Sequence, residues 1–198
     1  TEQARRMLEP AQSTLRHLGF DPIAQAGSLD ARLERLPVLL AELGANRLLS
    51  SLFVGYGNGD FILVRPLDRA EVHRSVQAPV QAAFLVQSVA LQPDGTRAGE
   101  YLFFSGDRQL MERRPQPDYR FDPRTRPWYG AAVATTTPVQ SLPYVFFTTR
   151  QVGLTLSQRS AAGGSVIGID VVLDELADRL AELRVTPNTR MALVTARQ

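Results

Sequence analysis

The stretch SLFVGYGNGDFILVRPL, residues 51–67, contains two apolar runs on either side of Gly57-Asn58-Gly59-Asp60. An Asn-Gly pair between apolar runs is the strongest short signal for a β-hairpin, because both residues tolerate the positive φ of a tight turn. Two further apolar runs, 83–91 and 99–105, flank a second turn at Gln92-Pro93-Asp94-Gly95. The sequence therefore predicts two successive β-hairpins.

Helical patterns precede the hairpins. Residues 3–18 carry apolar side chains at steps of three and four residues, which predicts an amphipathic helix that ends at Gly19. Ser28 is a good N-cap for a second helical segment that reaches Gly44. Because Pro37 interrupts that segment, we expect two short helices there rather than one rod.

The chain after the hairpins changes character. The stretch 106–127 is rich in Arg, Pro and Asp and is typical of a loop. Residues 128–134 predict a short helix, because Pro127 suits a first helical position. Residues 143–159 predict either two strands or one long strand that bends at Gly153.

A buried strand over 165–173 leads into the last clear helix. That helix is predicted over 174–185, with Asp174 as its N-cap. The tail 186–198 reads as a turn followed by one strand. Because runs of strands occur without a helix after each one, the order of elements predicts an α+β fold, with an antiparallel sheet covered by helices.

The composition is that of an ordinary folded domain. Of the 198 residues, 44% are hydrophobic and 21% are charged. No window approaches the roughly 18 consecutive apolar residues that a membrane helix needs, so we expect a soluble excerpt of a longer protein. The absence of cysteine excludes disulfides and thiolate metal sites. All 22 basic residues are Arg, scattered among 20 acidic residues, and they form no nucleic-acid-binding stripe.

Arg126, Trp128 and Tyr129 lie within four residues of one another in FDPRTRPWYGAA, residues 121–132. A guanidinium presents a planar fork of donors that suits a carboxylate or a phosphate. The two aromatic rings add apolar faces with polar tips. Such a cluster can close around one small anionic or zwitterionic molecule. In the structural alternative, Arg126 braces the loop by pairing with Asp122 or a backbone carbonyl, while the two aromatic side chains pack or bond within the fold.

Asp170 stands inside the apolar strand SVIGIDVVL. A carboxylate in such a strand is costly unless it meets a cation or several donors. Alternation places it on the same face as Gly168, which leaves room for a ligand beside the backbone. We therefore predict that Asp170 contacts a ligand, the alternative being a structural bond to a neighbouring loop. Tyr144 either lines the mouth of the pocket or packs on the sheet.

The sequence contains no catalytic motif. His17 and His73 are its two histidines, and neither belongs to an H-E-x-x-H, G-x-S-x-G or phosphate-loop pattern. The glycine-rich stretch 55–59 lies in a hairpin, where no helix N-terminus follows to bind a phosphate. We therefore expect no enzyme activity, no metal site and no cofactor.

Three stretches together resemble a known family: FDPRTRPWYGAA, LPYVFFTT with VGLTLS, and VIGIDVVLDELADRL. They resemble the extracytoplasmic Cache sensor domain of bacterial signalling proteins, and more narrowly the membrane-distal module of the double-Cache type. The resemblance covers nearly the whole chain. It implies a PAS-like antiparallel sheet with a long N-terminal helix and flanking short helices, and a ligand pocket between the sheet and the loops around the short helix.

The resemblance also implies roles for individual residues. In members that bind amino acids, the Arg and Trp of the motif and an upstream Tyr hold the carboxylate, while the next Tyr and a strand Asp hold the ammonium. The matching residues are Arg126, Trp128, Tyr129 and Asp170, with Phe121 at the upstream position. Because Phe121 has no hydroxyl, another small acid, an amine or a different metabolite competes with an α-amino acid as the candidate ligand.

Finally, the resemblance implies a division of the chain into a helical segment 1–46, a sensor module 47–185 and the start of a truncated membrane-proximal module, 186–198. The module would lie in the periplasmic or extracellular portion of an inner-membrane protein, anchored by helices outside this chain. It would pass the signal of a bound amino acid, organic acid or amine to an output such as a nucleotide cyclase, a GGDEF cyclase or an HD-type phosphodiesterase. The alternative is a ligandless module that dimerises through the N-terminal helix or binds a partner protein.

Overall fold

A computed structural model describes residues 2–119 and 121–182, with side chains for 6–119 and 121–181. The described residues form one antiparallel sheet flanked by helices. The strands are β1 Ser51–Tyr56, β2 Phe61–Pro66, β3 Phe84–Leu91, β4 Arg97–Phe104, β5 Leu110–Gln116, β6 Val139–Gln140, β7 Tyr144–Val145, β8 Val152–Arg159 and β9 Ser165–Val172. The helices are α1 Glu2–Leu18, α2 Leu29–Leu33, α3 Leu36–Ala45, α4 Ala70–Ser75, α5 Pro127–Val133 and α6 Leu173–Glu182, with single 3-10 turns at Pro22–Gln25 and Pro123–Thr125.

β1 lies in the interior of the sheet. The strand order is β5-β4-β3-β2-β1-β9-β8-β6, and β7 also pairs with β8. Phe53 on β1 is the partner of Leu63 on β2 and of Gly168 on β9. All six residues of β1 and all eight of β9 are buried, which explains why both strands read as continuous apolar runs.

The larger hydrophobic core lies between one face of the sheet and the helices α1, α3 and α6. Leu15 of α1, Leu39 of α3 and Ile167 of β9 are all at most 3% exposed within it. Burying a leucine or isoleucine side chain contributes about 1.5 to 3 kcal/mol each, so these contacts fix the helices to the sheet. The helical segment and the sheet therefore share one core.

Most of the predicted elements are present. Both hairpins form, with turns at 57–60 and 92–96. The segment after Ser28 is divided into α2 and α3, and the Ser28 hydroxyl accepts a hydrogen bond from the N–H of Ala31. The α+β class, with an antiparallel sheet and a long N-terminal helix, is confirmed.

The prediction of a loop over 106–127 is wrong in part. Residues 110–116 form β5, which pairs with β4 at the edge of the sheet. An edge strand is paired on one side alone, so it tolerates Pro115 and exposed charged side chains such as Arg113. This composition is what made the strand read as a loop. The two-residue strand β6 was also not predicted.

The stretch PYVFFTTR forms a strand over two residues alone, Tyr144 and Val145. The chain then reverses direction: the N–H of Arg150 donates to the carbonyl of Phe146, and Arg150 adopts a positive φ of 60°. This reversal leads into β8. The expectation of two strands is thus right in number, but the first of them is much shorter than its apolar sequence predicts.

The last helix begins one residue earlier than expected. Leu173 starts α6 directly after β9, so Asp174 lies in the first turn and does not act as the N-cap. A carboxylate in the first turn still interacts favourably with the helix dipole. The predicted module start at 186–198 lies outside the described residues.

Candidate ligand-binding site

A second hydrophobic cluster covers the face of the sheet opposite α1, α3 and α6. In it the ring of Trp128 lies 4.8 Å from that of Phe53, and the ring of Phe121 lies 4.5 Å from that of Phe61, centroid to centroid. Gly55 allows the covering segment to approach, because a Cβ there would lie 2.7 Å from the Cβ of Pro123. The motif of residues 121–132 is therefore held directly on the sheet.

A cavity of about 40 Å³ lies between the sheet and its covering segments, which is room for roughly three water molecules. Its wall is largely aromatic, and it contains both positively and negatively charged side chains. The polar and charged side chains that line it are Arg65, Tyr119, Arg126, Tyr144, Thr148 and Asp170. We call this space the site cavity.

Arg126 reaches the site cavity from the loop before α5. Its guanidinium carbon lies 5.6 Å from the ring centroid of Phe121, and it forms no ion pair or hydrogen bond with a described side chain. Asp122 is bound instead by Arg97 at 2.8 Å and by Arg124 at 3.0 Å. The alternative in which Arg126 pairs with Asp122 is therefore wrong, and the guanidinium remains available.

Asp170 is held by hydroxyl groups from two neighbouring strands. Its Oδ1 accepts a hydrogen bond from Thr155 Oγ1 at 2.7 Å, and its Oδ2 accepts one from Ser51 Oγ at 2.9 Å. The Tyr144 hydroxyl lies 2.7 Å from Thr155 Oγ1. When Asp170 is ionised it accepts the one hydroxyl proton of Thr155, so Tyr144 is then the donor in this pair. The two sequence-predicted residues are thus linked through Thr155.

Burial raises the pKa of the Asp170 carboxyl, and the hydrogen bond from Thr155, the charge of Arg65 and the hydrogen bond from Ser51 oppose this rise in part. No described cation forms an ion pair with Asp170. A buried carboxylate gains from an adjacent cation, because an opposite charge favours the ionised form. The arrangement can therefore accept an ammonium group from outside the chain.

Trp128 and Tyr129 do not face the same way. Trp128 is buried in the wall of the site cavity, whereas Tyr129 lies outside its lining and packs edge-on against Trp128 with centroids 5.8 Å apart. Consecutive residues of a helix point about 100° apart, so one of the two alone can face the cavity. Five of the six predicted residues therefore line one space, and their contact with a ligand stays a prediction.

The space expected beside Gly168 is occupied. A Cβ at Gly168 would overlap the ring of Phe53, which lies on the neighbouring strand in direct register. The prediction that a ligand approaches the backbone there is wrong, because an aromatic ring from β1 uses the room. Gly168 thus makes room for the ring of Phe53, which lines the site cavity.

Arg65 was missed by the sequence reasoning. It lies on β2, is 5% exposed and lines the site cavity, yet its Nε has no hydrogen-bond acceptor. Burial lowers the pKa of its guanidinium, and the negative charge of Asp170 opposes this. The signal was present in the sequence, because FILVRP places one charge inside an apolar strand, as SVIGIDVVL does.

Tyr119 supplies a hydroxyl near the position where Phe121 lacks one. Its ring stacks on that of Phe121 with centroids 5.8 Å apart and an interplanar angle of 14°. Tyr119 is buried, and burial raises its hydroxyl pKa well above the ordinary value, so the group stays a neutral donor. The residue two positions upstream of Phe121 therefore brings a phenol to the cavity wall.

No family model matches the chain. Among curated proteins, "Adenylate cyclase 1" of Rhizobium meliloti (strain 1021) is 35% identical to it over 157 residues. These residues are 79% of this chain and 24% of the cyclase, so the chain spans about a quarter of that relative's length.

Solved structures with a similar fold include the ligand-binding domain of the Campylobacter jejuni chemoreceptor Tlp3 in complex with 4-methylisoleucine. It matches with a TM-score of 0.53 and 16% identity, over 91% of this chain and 59% of that one. An extracellular domain assigned to a histidine kinase, soHK1S-Z6, matches with a TM-score of 0.51 and 17% identity, over 90% of this chain and 59% of that one. The chain has the fold of a Cache-type sensory domain. It spans about three fifths of these longer sensory domains.

Two larger hollows lie elsewhere on this sensory fold, with volumes of about 210 and 200 Å³. Neither contains a residue of the 121–132 motif or Asp170. In the first, Arg47 and Asp68 already pair with each other at 3.1 Å. The smaller site cavity is the better candidate, because five of the six predicted residues line it together with the buried charges of Arg65 and Asp170. Across the described part of the chain, no helix is long and apolar enough to cross a membrane.

Proposed function

We propose that this chain is an extracytoplasmic sensory domain that binds a small metabolite with an acidic group in the site cavity. It holds the metabolite without transforming it and belongs to a membrane-anchored signalling protein. The proposal is supported by the sensory fold, by the similarity to structures whose ligands are amino acids, and by the charges in the cavity.

One observation carries the proposal. Arg126 and Asp170 lie far apart in the sequence and line the same cavity, and neither forms an ion pair with a described residue. Buried or half-buried charges without partners cost free energy. A ligand with a carboxylate and a polar or cationic group would satisfy both, so the arrangement favours such a ligand.

Binding requires a movement, because 40 Å³ does not hold an amino acid or an organic acid. The segment between β7 and β8 is the part best placed to move: it carries Phe146, Phe147 and Thr148 into the lining, and Phe147 is 48% exposed. A ligand shifts the balance between two conformations when it binds one of them better. We propose that this segment opens for entry and closes over the ligand.

The signal would leave through β9. This strand carries Asp170 and continues without a loop into α6, which starts at Leu173. A change in the position of Asp170 would therefore move the first turn of α6. The similarity to an adenylate cyclase favours a nucleotide cyclase as the output among those predicted.

A second candidate function is the docking of a partner protein or a second copy without a ligand. The small size of the cavity favours it, as do four exposed apolar side chains near the β7–β8 segment. These are Leu142, Val145, Phe147 and Val152, which are 74%, 52%, 48% and 49% exposed. The unpaired charges of the site cavity weigh against this candidate, because a partner on the surface would leave them unsatisfied.

Thermal-shift screening tests the proposal with amino acids, organic acids, amines and purines. A true ligand at a hundredfold excess over its dissociation constant stabilises the fold by about 2.7 kcal/mol, which is readily measured. We expect at least one acidic compound to raise the melting temperature. Arg126→Ala should then weaken its binding about 30-fold or more in calorimetry, while the fold remains intact.

Arg124→Ala is the matched control. Arg124 lies two residues away, is exposed and binds Asp122 outside the site cavity. If Arg126 acts on the ligand, the control binds as the wild type does. Equal losses in both variants would mean that the loop is merely disturbed. Unchanged binding in Arg126→Ala would overturn the proposal.

A further inference from the structure

Among the residues that the structure describes, the guanidinium of Arg65 is an unusual group. The residue is 5% exposed, its Nε has no hydrogen-bond acceptor, and it forms no ion pair with a described residue. A buried, unpaired charge is costly, and proteins usually pair such groups or coordinate them. The charge of Asp170 acts on Arg65 across the site cavity without forming an ion pair, so the guanidinium can still bind an anion from outside the chain.

The surroundings of Arg65 suit a small carboxylate. Thr148 and Tyr119 also line the site cavity, both carry hydroxyl groups, and Tyr119 interacts electrostatically with Arg65. Gln87 on β3 donates to Thr148 Oγ1 at 3.0 Å and so orients that hydroxyl. Tyr101 lies behind this lining: its ring meets that of Tyr119 edge-on at 5.9 Å, and it also interacts electrostatically with Arg65. These groups can donate hydrogen bonds beside the guanidinium.

The charges of the cavity define the ligand more closely. Two guanidiniums, of Arg65 and Arg126, and one carboxylate, of Asp170, line it. A ligand with one carboxylate and one ammonium would leave one guanidinium buried without a counter-charge. A ligand with two carboxylates and one ammonium gives each charged side chain an opposite partner, and the sum is zero.

We propose that Arg65 forms a second anion subsite and that the ligand is a small amino dicarboxylate. Arg126 binds one carboxylate, Arg65 binds the other, and Asp170 receives the ammonium. This inference rests on the proposed function, because it assigns a ligand class to the same cavity. It adds a specificity-determining residue that lies outside the 121–132 motif.

Calorimetric titration of the whole chain tests this assignment with L-aspartate and L-glutamate against L-asparagine and L-glutamine. Each amide replaces one carboxylate by a neutral group of nearly the same shape. We expect one of the two acids to bind about 30-fold or more tightly than its amide. In Arg65→Met, which keeps the length of the side chain, this preference should disappear, while the affinity for the amide changes less than about 3-fold. Arg65→Lys keeps the charge and should retain part of the preference.

The thermal midpoint of each variant without ligand checks that it folds. Succinate, which has two carboxylates and no amine, is the further control and should bind more weakly than L-aspartate. The inference is overturned if acid and amide bind equally to the wild type, if Arg65→Met weakens both equally, or if succinate matches L-aspartate. If these probes fail while another compound binds and depends on Arg126, the inference fails and the proposed function stands. If neither these probes nor any compound of the thermal-shift panel binds, the inference and the proposed function both fail.

Discussion

Two buried arginines meet opposite surroundings in this molecule. Arg32 is 1% exposed, its Nη2 lies 2.8 Å from Asp60 Oδ2, and its guanidinium carbon lies 4.0 Å from the ring centroid of Tyr56. Arg65 is 5% exposed, its side chain forms no ion pair among the described residues, and its Nε has no hydrogen-bond acceptor. The chain provides an ion-pair partner for Arg32, which lies within its own core. Its described residues provide none for Arg65, which lines the site cavity.

The partner of Arg32 is also fully engaged. Burial raises the pKa of Asp60, but hydrogen bonds from the N–H of Leu91 and from Arg32 together lower it by more than burial raises it, so the net shift is downward. Its Oδ1 accepts the Leu91 N–H at 2.8 Å. Asp170 shows the reverse, with a raised pKa and hydroxyl donors alone. Asp60, which stabilises the fold, therefore has its charge fully compensated by neighbouring groups, whereas the charge of Asp170, which we expect to bind a ligand, is compensated only in part.

The largest change in the free energy of unfolding is expected at the Arg32–Asp60 pair, where each charge has an opposite partner. Arg32→Met leaves Asp60 buried without its counter-charge, which should lower the free energy of unfolding by about 3 to 5 kcal/mol. Urea unfolding at neutral pH measures this. Arg47→Met is the control, because the Arg47–Asp68 pair is 71% and 50% exposed and should contribute less than about 1 kcal/mol. A loss for Arg32→Met as small as that of the control would remove the contrast.

Arg65→Met should change stability in the opposite direction. In the absence of ligand, removal of a buried charge without an ion-pair partner should raise the free energy of unfolding by about 1 to 3 kcal/mol, since burying an unsatisfied polar or charged group costs at least that much. The same urea experiment measures it. A clear destabilisation would mean that the chain does satisfy Arg65, and the comparison of the two arginines would fail.

The smallest effect concerns the pH dependence of stability. The pKa of Asp170 is raised in the folded state, so its contribution is fully present below the unfolded value and is lost as pH rises through the folded value. Asp170→Asn keeps a neutral side chain at every pH. We expect the wild type to lose stability relative to this variant as pH rises from 4 to 8. A constant difference between the two over that range would contradict the raised pKa.

Much of the fold could be predicted from the sequence, because its signals are local. The Asn58-Gly59 turn fixes the first hairpin, and Ser28 with Pro37 divides the second helical segment in two. The edge strand β5 was not predicted, because pairing with β4 and not composition makes it a strand. The length of β7 was overestimated, because the chain reversal at 146–151 that ends this strand depends on tertiary contacts and not on local sequence.

The site could be predicted in part. Asp170 was found because a carboxylate interrupts an apolar strand, and the motif indicated Arg126 and Trp128. Arg65 follows the same rule as Asp170, but a single arginine near the end of a hairpin strand is expected to face solvent. Whether its face is covered depends on Tyr119 and the segments 121–128 and 146–148, which carry no periodic signal. To predict that Trp128 and not Tyr129 faces the cavity, one would need to know how α5 is rotated about its axis.

A crystal structure of the chain grown with the most stabilising compound of the thermal-shift panel tests the central claim most directly. We predict density in the site cavity, with a carboxylate at hydrogen-bonding distance from Arg126 and a polar or cationic group beside Asp170. The segment 146–148 should lie displaced from its position here. A compound bound elsewhere on the surface, with Arg126 and Asp170 untouched and the cavity still about 40 Å³, would contradict the claim.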